Sequence, residues 1–178
     1  MRFLARTPLT PNVVSWLGFI LTLGAAALII TGHPFAAGFV VLLAGFFDIL
    51  DGSLARLTKK VTPFGAVLDS TLDRLSEAVL LIAVVVSFEK TLLLVLLVFL
   101  ALVGSLLVSY IRARAEAVGL ESPHIGLFTR AERVVVLALG LLLSHIDYAL
   151  VIALAVIVAF SFFTAGQRLV YVWRQTRK

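Results

Sequence analysis

Residues 92–111 read LLLVLLVFLALVGSLLVSYI, an apolar run without a single charged side chain. A helix of about 20 mostly apolar residues is what crosses the hydrocarbon core of a bilayer. The whole chain is 61% hydrophobic and only 14% charged, whereas soluble domains are roughly 45–50% apolar and about 25% charged. The sequence therefore predicts an integral membrane protein. The absence of cysteine excludes disulfides and thiolate metal sites.

Apolar segments on both sides of this run predict an all-α bundle of six transmembrane helices in a single domain, residues 1–178, with residues 1–10 as a juxtamembrane segment. The predicted spans are residues 13–30, 35–57, 64–88, 91 to beyond 111, 128–143 and 148–173. All 15 Lys and Arg residues except Lys90 fall on one side of this topology. The positive-inside rule places that side and both termini in the cytoplasm, as expected of a plasma-membrane protein. The net charge of +5 thus indicates a membrane interface and not nucleic acid.

Four aspartates lie toward the predicted cytoplasmic ends of spans two and three: Asp48, Asp51, Asp69 and Asp73. Their spacings of three and four place each pair on one helix face, and the short connection predicts that the two helices are antiparallel neighbours. Converging carboxylates repel one another, and a divalent cation relieves that repulsion. Ligand sets made only of oxygen favour magnesium, manganese or calcium over zinc. A packing network of carboxylates with arginine and an ion or proton pathway are the alternatives.

Small residues and one arginine accompany these aspartates. Gly52, Ala55 and Gly65 leave room for a ligand near the backbone, and Arg56 offers a forked donor suited to phosphate. Residues 48–73 therefore read D-x2-D-G-x2-A-R-x8-G-x3-D-x3-D. This pattern resembles the signature of the CDP-alcohol phosphotransferase family, and the six predicted spans are similar to the topology of that family.

The resemblance implies a homodimeric enzyme that binds two divalent cations, Mg²⁺ or Mn²⁺, and releases CMP. It implies that the four aspartates are metal ligands and that Asp73 is also the general base that takes the proton of the acceptor hydroxyl. The residues that the resemblance implies for the CDP site are Asn12, Gly52, Ala55, Arg56 and Gly65. Two metal ions can neutralise a pyrophosphate and align a nucleophile, so no covalent enzyme intermediate is needed.

The second half of the chain carries Ser109 and Arg112, then Gly126, then Arg133, then Arg168. This series is similar to the subgroup that makes phosphatidylinositol phosphate, or its archaeal ether-lipid counterpart, from inositol 1-phosphate. The similarity implies CDP-diacylglycerol or CDP-archaeol as the lipid donor. It implies that Ser109 and the three arginines hold the phosphate of the acceptor. The subgroup often has lysine where Arg112 stands, which keeps the charge but changes the hydrogen-bond geometry.

Other interpretations remain open at this point. A phosphatidylglycerophosphate synthase would use glycerol 3-phosphate, although its usual Gly-Lys-x-Lys-Thr-type stretch is absent after span four. The arginines would otherwise be interface residues that snorkel to water. A small membrane transporter would need ionisable residues across the membrane, whereas here nearly all of them lie at one face. Glu116 and Glu132 are expected to form ion pairs with neighbouring arginines.

Overall fold

The computed structural model describes residues 10–58, 62–88, 91–120 and 126–177, without the side chains of residues 11 and 51–58. These residues form six helices and no strand, which confirms the all-α prediction. The helices are α1 (Pro11–Ile30), α2 (Pro34–Thr58), α3 (Pro63–Ser87), α4 (Leu92–Ala117), α5 (Arg130–Leu142) and α6 (Ala149–Thr176). Each lies within a few residues of a predicted apolar segment.

The beginnings of the helices follow from local sequence. Proline is the first residue of α1, α2 and α3, a position at which its fixed φ suits the helix and its missing N–H costs nothing. The hydroxyl of Thr62 accepts a hydrogen bond from the N–H of Gly65 (3.0 Å), and that of Thr91 accepts one from the N–H of Leu94 (3.2 Å). These threonines therefore cap α3 and α4.

The chain divides into two compact units, Met1–Phe88 and Glu89–Lys178. In the first unit, α1 packs along both α2 and α3, whereas the described residues of α2 and α3 make no extensive contact with each other. The side chains of α2 nearest the connection, residues 51–58, are not described, so the prediction that α2 and α3 are direct neighbours stays a prediction. Ala25, Ala26 and Ile29 are all buried on α1. This helix is the shared packing partner of α2 and α3.

In the second unit, α6 has the corresponding place and packs against both α4 and α5. Small residues bring these helices close together. A Cβ on Gly104 would lie 3.0 Å from the Cβ of Ser161, and a Cβ on Gly140 would lie 2.6 Å from the Cβ of Ala153. Close backbone approach at small residues is a common way to associate helices in a bilayer.

Three helical segments in the described residues are long and apolar enough to cross a membrane: Asn12–Ile30, Leu92–Ala117 and Ala149–Thr176. Within the described residues, α2 also contains an apolar segment of fewer residues, Pro34–Leu50. Helix α5 has only 13 residues, which gives a rise of about 20 Å. Many large apolar side chains point outward, among them Leu92 at 75% exposure. This surface suits a membrane protein.

Candidate active site

Three of the four predicted metal ligands have described side chains. Asp48 lies in the second half of α2, and Asp69 and Asp73 lie one turn apart in α3. All three carboxylates are half-buried. Because α3 runs unbroken through both positions, Asp69 and Asp73 share one face of that helix. The helices that carry these residues are both packed on α1.

Asp48 reaches back to α1 at a glycine. Its Oδ1 would lie 3.2 Å from a Cβ on Gly18, which is tighter than an ordinary van der Waals contact. Gly18 is buried, so it makes room for the carboxylate between the two helices. An alanine at this position would press directly on a predicted metal ligand.

Asn12 and Gly65 come together at the beginnings of α1 and α3. A Cβ on Gly65 would lie 2.9 Å from Oδ1 of Asn12 and 2.9 Å from Oγ1 of Thr62. Thr62 is the residue whose hydroxyl caps α3 through the N–H of Gly65. The structure thus places two of the predicted CDP-binding residues in contact range, around a point where a Cβ would force a neighbouring side chain to move.

The remaining predicted residues of this region are Asp51, Gly52, Ala55 and Arg56, and their side chains lie outside the described residues. Among the described residues, no group of three or more His, Asp or Glu side chains is arranged to hold a metal. The predicted set, however, includes Asp51. All the donor atoms of the four predicted aspartates are carboxylate oxygens, which are ligands that Mg²⁺ and Mn²⁺ prefer. The residues of the set therefore fit such ions by type.

In the second unit, two predicted arginines are removed from solvent. Arg133 on α5 is 3% exposed and Arg168 on α6 is 5% exposed. The Nη1 of Arg168 donates a hydrogen bond of 2.6 Å to the backbone carbonyl of Val108 on α4. Arginine is rarely this buried unless it is paired or serves a ligand. The simple interpretation of these residues as snorkelling interface arginines therefore fails, because a snorkelling head group lies in water.

Arg112 completes the group. It is exposed on α4, one turn after Val108, and its Nε donates to Oε1 of Glu116 at 3.0 Å. The charges of Arg112 and Arg133 both act on Arg168, and so does that of Glu116. The structure therefore brings the three predicted arginines, each from a different helix, into one electrostatic cluster. Ser109 lies three residues before Arg112 on α4 and is half-buried.

The two glutamates of this region have different roles. Glu116 pairs with Arg112, as expected. Glu132 instead closes a capping box at the beginning of α5, where its Oε2 accepts a hydrogen bond of 2.7 Å from the N–H of Thr129. Its carboxylate also lies within electrostatic range of Arg133. Glu132 thus fixes the helix that carries Arg133 and is principally a structural residue.

Sequence reasoning missed Gly18, Thr62 and the carbonyl of Val108. Gly18 lies in an apolar span and Val108 acts through its backbone, so neither gives a signal in a single sequence. Thr62 could have been found, because a threonine directly before a proline-initiated helix is a typical N-cap.

The chain was compared with known proteins. A family model described as CDP-alcohol phosphatidyltransferase matches residues 8–165. Archaetidylinositol phosphate synthase of Methanothermobacter thermautotrophicus is 36% identical over 174 residues, which covers 97% of this chain and 87% of the relative. Phosphatidylinositol phosphate synthase of Corynebacterium glutamicum is 37% identical over 176 residues, which covers 95% of this chain and 80% of the relative.

Solved structures of a bacterial relative agree in fold. The phosphatidylinositol phosphate synthase of Mycobacterium tuberculosis with CDP-DAG bound is 36% identical, with a TM-score of 0.84 over 97% of this chain and 90% of that one. The same enzyme in complex with manganese and citrate is 35% identical, with a TM-score of 0.84 over 97% of this chain and 86% of that one.

Proposed function

The chain belongs to the CDP-alcohol phosphatidyltransferase family, and from this premise we propose that it transfers a phosphatidyl-type group from a CDP-linked lipid to inositol 1-phosphate. The products are phosphatidylinositol phosphate, or its ether-lipid analogue, and CMP. The chain is thus a metal-dependent transferase of phospholipid biosynthesis. Relatives of this similarity are named archaetidylinositol phosphate synthase or phosphatidylinositol phosphate synthase, so the donor is CDP-archaeol or CDP-diacylglycerol.

The observation that carries the choice of acceptor is the arginine cluster of the second unit. Arg133 and Arg168 are almost fully buried and lie in each other's electrostatic field, with Arg112 beside them. Three cationic side chains that are gathered from three helices favour an anionic ligand electrostatically. A phosphorylated acceptor supplies a dianion with several acceptor oxygens for forked arginine donors. Unphosphorylated inositol or serine carries no phosphate for these donors.

The donor side is assigned to the first unit. Asp48, Asp51, Asp69 and Asp73 would hold two divalent cations, Mg²⁺ or Mn²⁺, which when bound neutralise the charge of the pyrophosphate. The nucleotide is assigned to the residues around the contact of Asn12 with Gly65, where side-chain oxygens of Asn12 and Thr62 lie close to the backbone of α3. Gly52, Ala55 and Arg56 are assigned to the same CDP site.

The reaction needs one proton transfer and one displacement. Asp73 takes the proton of the acceptor hydroxyl, and the resulting oxygen nucleophile attacks the phosphorus that carries the lipid. A new P–O bond forms as the bond from that phosphorus to the bridging oxygen breaks, and CMP leaves with the bond electrons. A positioned carboxylate base contributes about 10²–10⁴-fold to such a step. Arg112, Arg133 and Arg168, assisted by Ser109, hold the acceptor phosphate while this occurs.

We also propose the membrane arrangement: six spans, both termini and the active site at the cytoplasmic face of the plasma membrane, and a homodimer. The cationic residues that flank the helices support this orientation. Because the chain has no cysteine, single cysteines can be introduced without background. Labelling of Thr10→Cys and Ser87→Cys in sealed vesicles with a membrane-impermeant maleimide should occur from opposite sides. Labelling of both from one side would refute the topology.

The activity is tested by CMP release from purified protein with Mg²⁺ or Mn²⁺ and CDP-diacylglycerol or CDP-archaeol. Inositol 1-phosphate, glycerol 3-phosphate, inositol and serine are compared as acceptors. Turnover with inositol 1-phosphate alone would support the proposal. Turnover only with glycerol 3-phosphate would support the proposed reaction but show that the proposed acceptor is wrong. The absence of CMP release with every pair would refute the proposed activity, and it is the result that a transporter would give.

A further inference from the structure

Helix α6 carries a groove on the side that faces away from the arginine cluster. In the described part of the chain, the residues that line this groove all belong to α6. One row of them, spaced by four residues, is Phe162, Gly166, Val170 and Arg174. Gly166 and Val170 are each two residues from Arg168, so at about 100° per residue they lie on the opposite side of the helix. The groove is therefore separate from the proposed site of the acceptor phosphate.

The groove is widest at Gly166, because this residue has no side chain. A Cβ on Gly166 would meet no atom within 4 Å, although Phe162 and Val170 lie one turn before and one turn after it in the same row. The volume of the groove is about 550 Å³, which is within the range of about 300–1,000 Å³ that is typical of sites for small ligands. The missing side chain thus leaves room for a flexible apolar chain.

The chemistry of the groove changes along α6. Its first part is apolar and includes Phe162 and Phe163, whereas the part nearer the end of the helix adds Gln167, Tyr171 and Arg174. From residue 162 to residue 174 an α-helix rises about 18 Å, and one leaflet contributes about 15 Å to the hydrocarbon core of a bilayer. Helix α6 is long and apolar enough to cross a membrane. The groove therefore has the length and the order of a lipid in one leaflet, an acyl chain followed by a head group.

The polar end of the groove offers donors for a phosphate. The hydroxyl of Tyr171 accepts a hydrogen bond of 2.6 Å from Nε2 of Gln175, which leaves the proton of the hydroxyl for donation. Arg174 is exposed and has no ion-pair partner among the described residues. One turn later the guanidinium of Arg177 lies 4.1 Å from the ring centroid of Trp173, and tryptophan is enriched at the membrane–water interface. This end of α6 thus presents positive charge at the depth of lipid head groups.

We propose that the groove binds one anionic phospholipid of the surrounding membrane, with an acyl chain beside Gly166 and the phosphate at Tyr171 and Arg174. A second copy of the chain fits this surface less well. A two-fold axis along the membrane normal would place the same face of both copies together at the same depth, so Arg174 would approach the partner's Arg174. A lipid phosphate neutralises this charge instead. The proposal concerns a site that the proposed reaction does not use, and it does not depend on that reaction.

The test is a lipid titration of the purified full-length protein in detergent, read by native mass spectrometry. Dioleoyl phosphatidylglycerol is the anionic probe, and dioleoyl phosphatidylcholine is the zwitterionic probe with the same chains. Arg174→Gln should weaken the binding of phosphatidylglycerol about fivefold, the contribution of one cationic residue near anionic lipid, and leave that of phosphatidylcholine unchanged. Arg114→Gln is the matched control, because Arg114 is exposed in the last turn of α4; it should change neither.

A second pair of variants tests the apolar part of the groove. Gly166→Leu fills the groove at its widest point and should remove the bound phosphatidylglycerol. Gly24→Leu is its control, because Gly24 is also an exposed glycine of an apolar helix and a Cβ there would meet nothing within 4 Å. Lipid that binds elsewhere on the protein is the same in both variants, so their difference reports the groove. Arg174→Gln changes an exposed side chain and gives a result even if Gly166→Leu does not fold.

Loss of phosphatidylglycerol from Gly166→Leu and its weaker binding to Arg174→Gln, with both controls unchanged, would support the proposal. Equal binding to Gly166→Leu and Gly24→Leu, or undiminished binding to Arg174→Gln, would overturn it. A change from dimer to monomer in Gly166→Leu, with lipid binding intact, would assign this face to a second copy and would also overturn it. None of these measurements needs turnover, so a failure of the proposed function would be seen separately in CMP release.

Discussion

Replacing Arg168 with lysine isolates the geometry of this side chain from its charge. In the structure, Nη1 of Arg168 is committed to the carbonyl of Val108 at 2.6 Å, while Nη2 and Nε face Gly126. The proposed function asks this one guanidinium to hold the backbone of α4 and to act on the acceptor phosphate as well. A lysine carries all of its donors on one nitrogen, so it cannot reach both places with separate atoms.

The magnitude follows from the hydrogen bond that is lost. A hydrogen bond to a charged group contributes about 1.5–3 kcal/mol. At about 1.4 kcal/mol for each factor of ten, Arg168→Lys should raise the acceptor KM by about 10- to 150-fold. The carbonyl of Val108 remains within the hydrogen-bond ladder of α4, so little loss of stability is expected from that oxygen. The KM for CDP-lipid should stay near the wild-type value.

The assay measures CMP release, first with varied acceptor at saturating CDP-lipid and then with varied CDP-lipid at saturating acceptor. Arg174→Lys is the matched control, because Arg174 lies on the same helix and is exposed; it should leave both KM values unchanged. An acceptor KM for Arg168→Lys within twofold of wild type would refute the assignment, because charge alone would then be sufficient. Equal rises in the two KM values would show that the substitution disturbs the fold and not one substrate.

Three further outcomes are expected. Asp73→Asn should lower the rate of CMP release by about 100-fold or more while CDP-lipid binding, measured by calorimetry, persists in part; near-normal turnover would exclude Asp73 as the base. Gly65→Ala should cost about 1–3 kcal/mol in unfolding free energy and raise the KM for CDP-lipid, because its Cβ would lie 2.9 Å from Asn12; Gly24→Ala, whose Cβ meets nothing within 4 Å, is the control in thermal melts. Chelation with EDTA should abolish CMP release and added Mn²⁺ should restore it; activity that survives chelation would contradict the metal assignment.

The apolar pattern predicted the helices well because bilayer crossing demands long uninterrupted runs. The apolar pattern predicts membrane spans less clearly where charged residues interrupt the apolar runs. Asp48 lies in α2, and Asp69 and Asp73 lie in α3, so the residues that mark the site also lower the hydropathy of the helices that carry them. Among the described residues, segments of α1, α4 and α6 have the length and hydropathy of a membrane span, and α3 does not. The six-span topology therefore stays a prediction.

The site could be predicted by residue type and not by contact. The spacing of the aspartates and the order of the arginines are visible in the amino-acid sequence. No pattern of residue types indicates that α1 is the shared partner of α2 and α3, because helix pairing depends on packing between distant segments. Nor could such a pattern reveal that Gly18 accommodates Asp48 or that Val108 binds Arg168. Those contacts depend on a missing side chain and on a backbone atom, which a pattern of residue types does not encode.

The boundary between the two compact units falls at Phe88, and it also divides the chemistry of the substrates. Every residue assigned to the metals and to CDP precedes it, and every residue assigned to the phosphate of the acceptor follows it. With this arrangement, the part of the gene that encodes one unit can change while the part that encodes the other is kept. Mutation or recombination downstream of the boundary can exchange one alcohol for another while the machinery that activates the nucleotide is inherited intact. A family that keeps a single reaction can thereby diversify the head groups of its lipids.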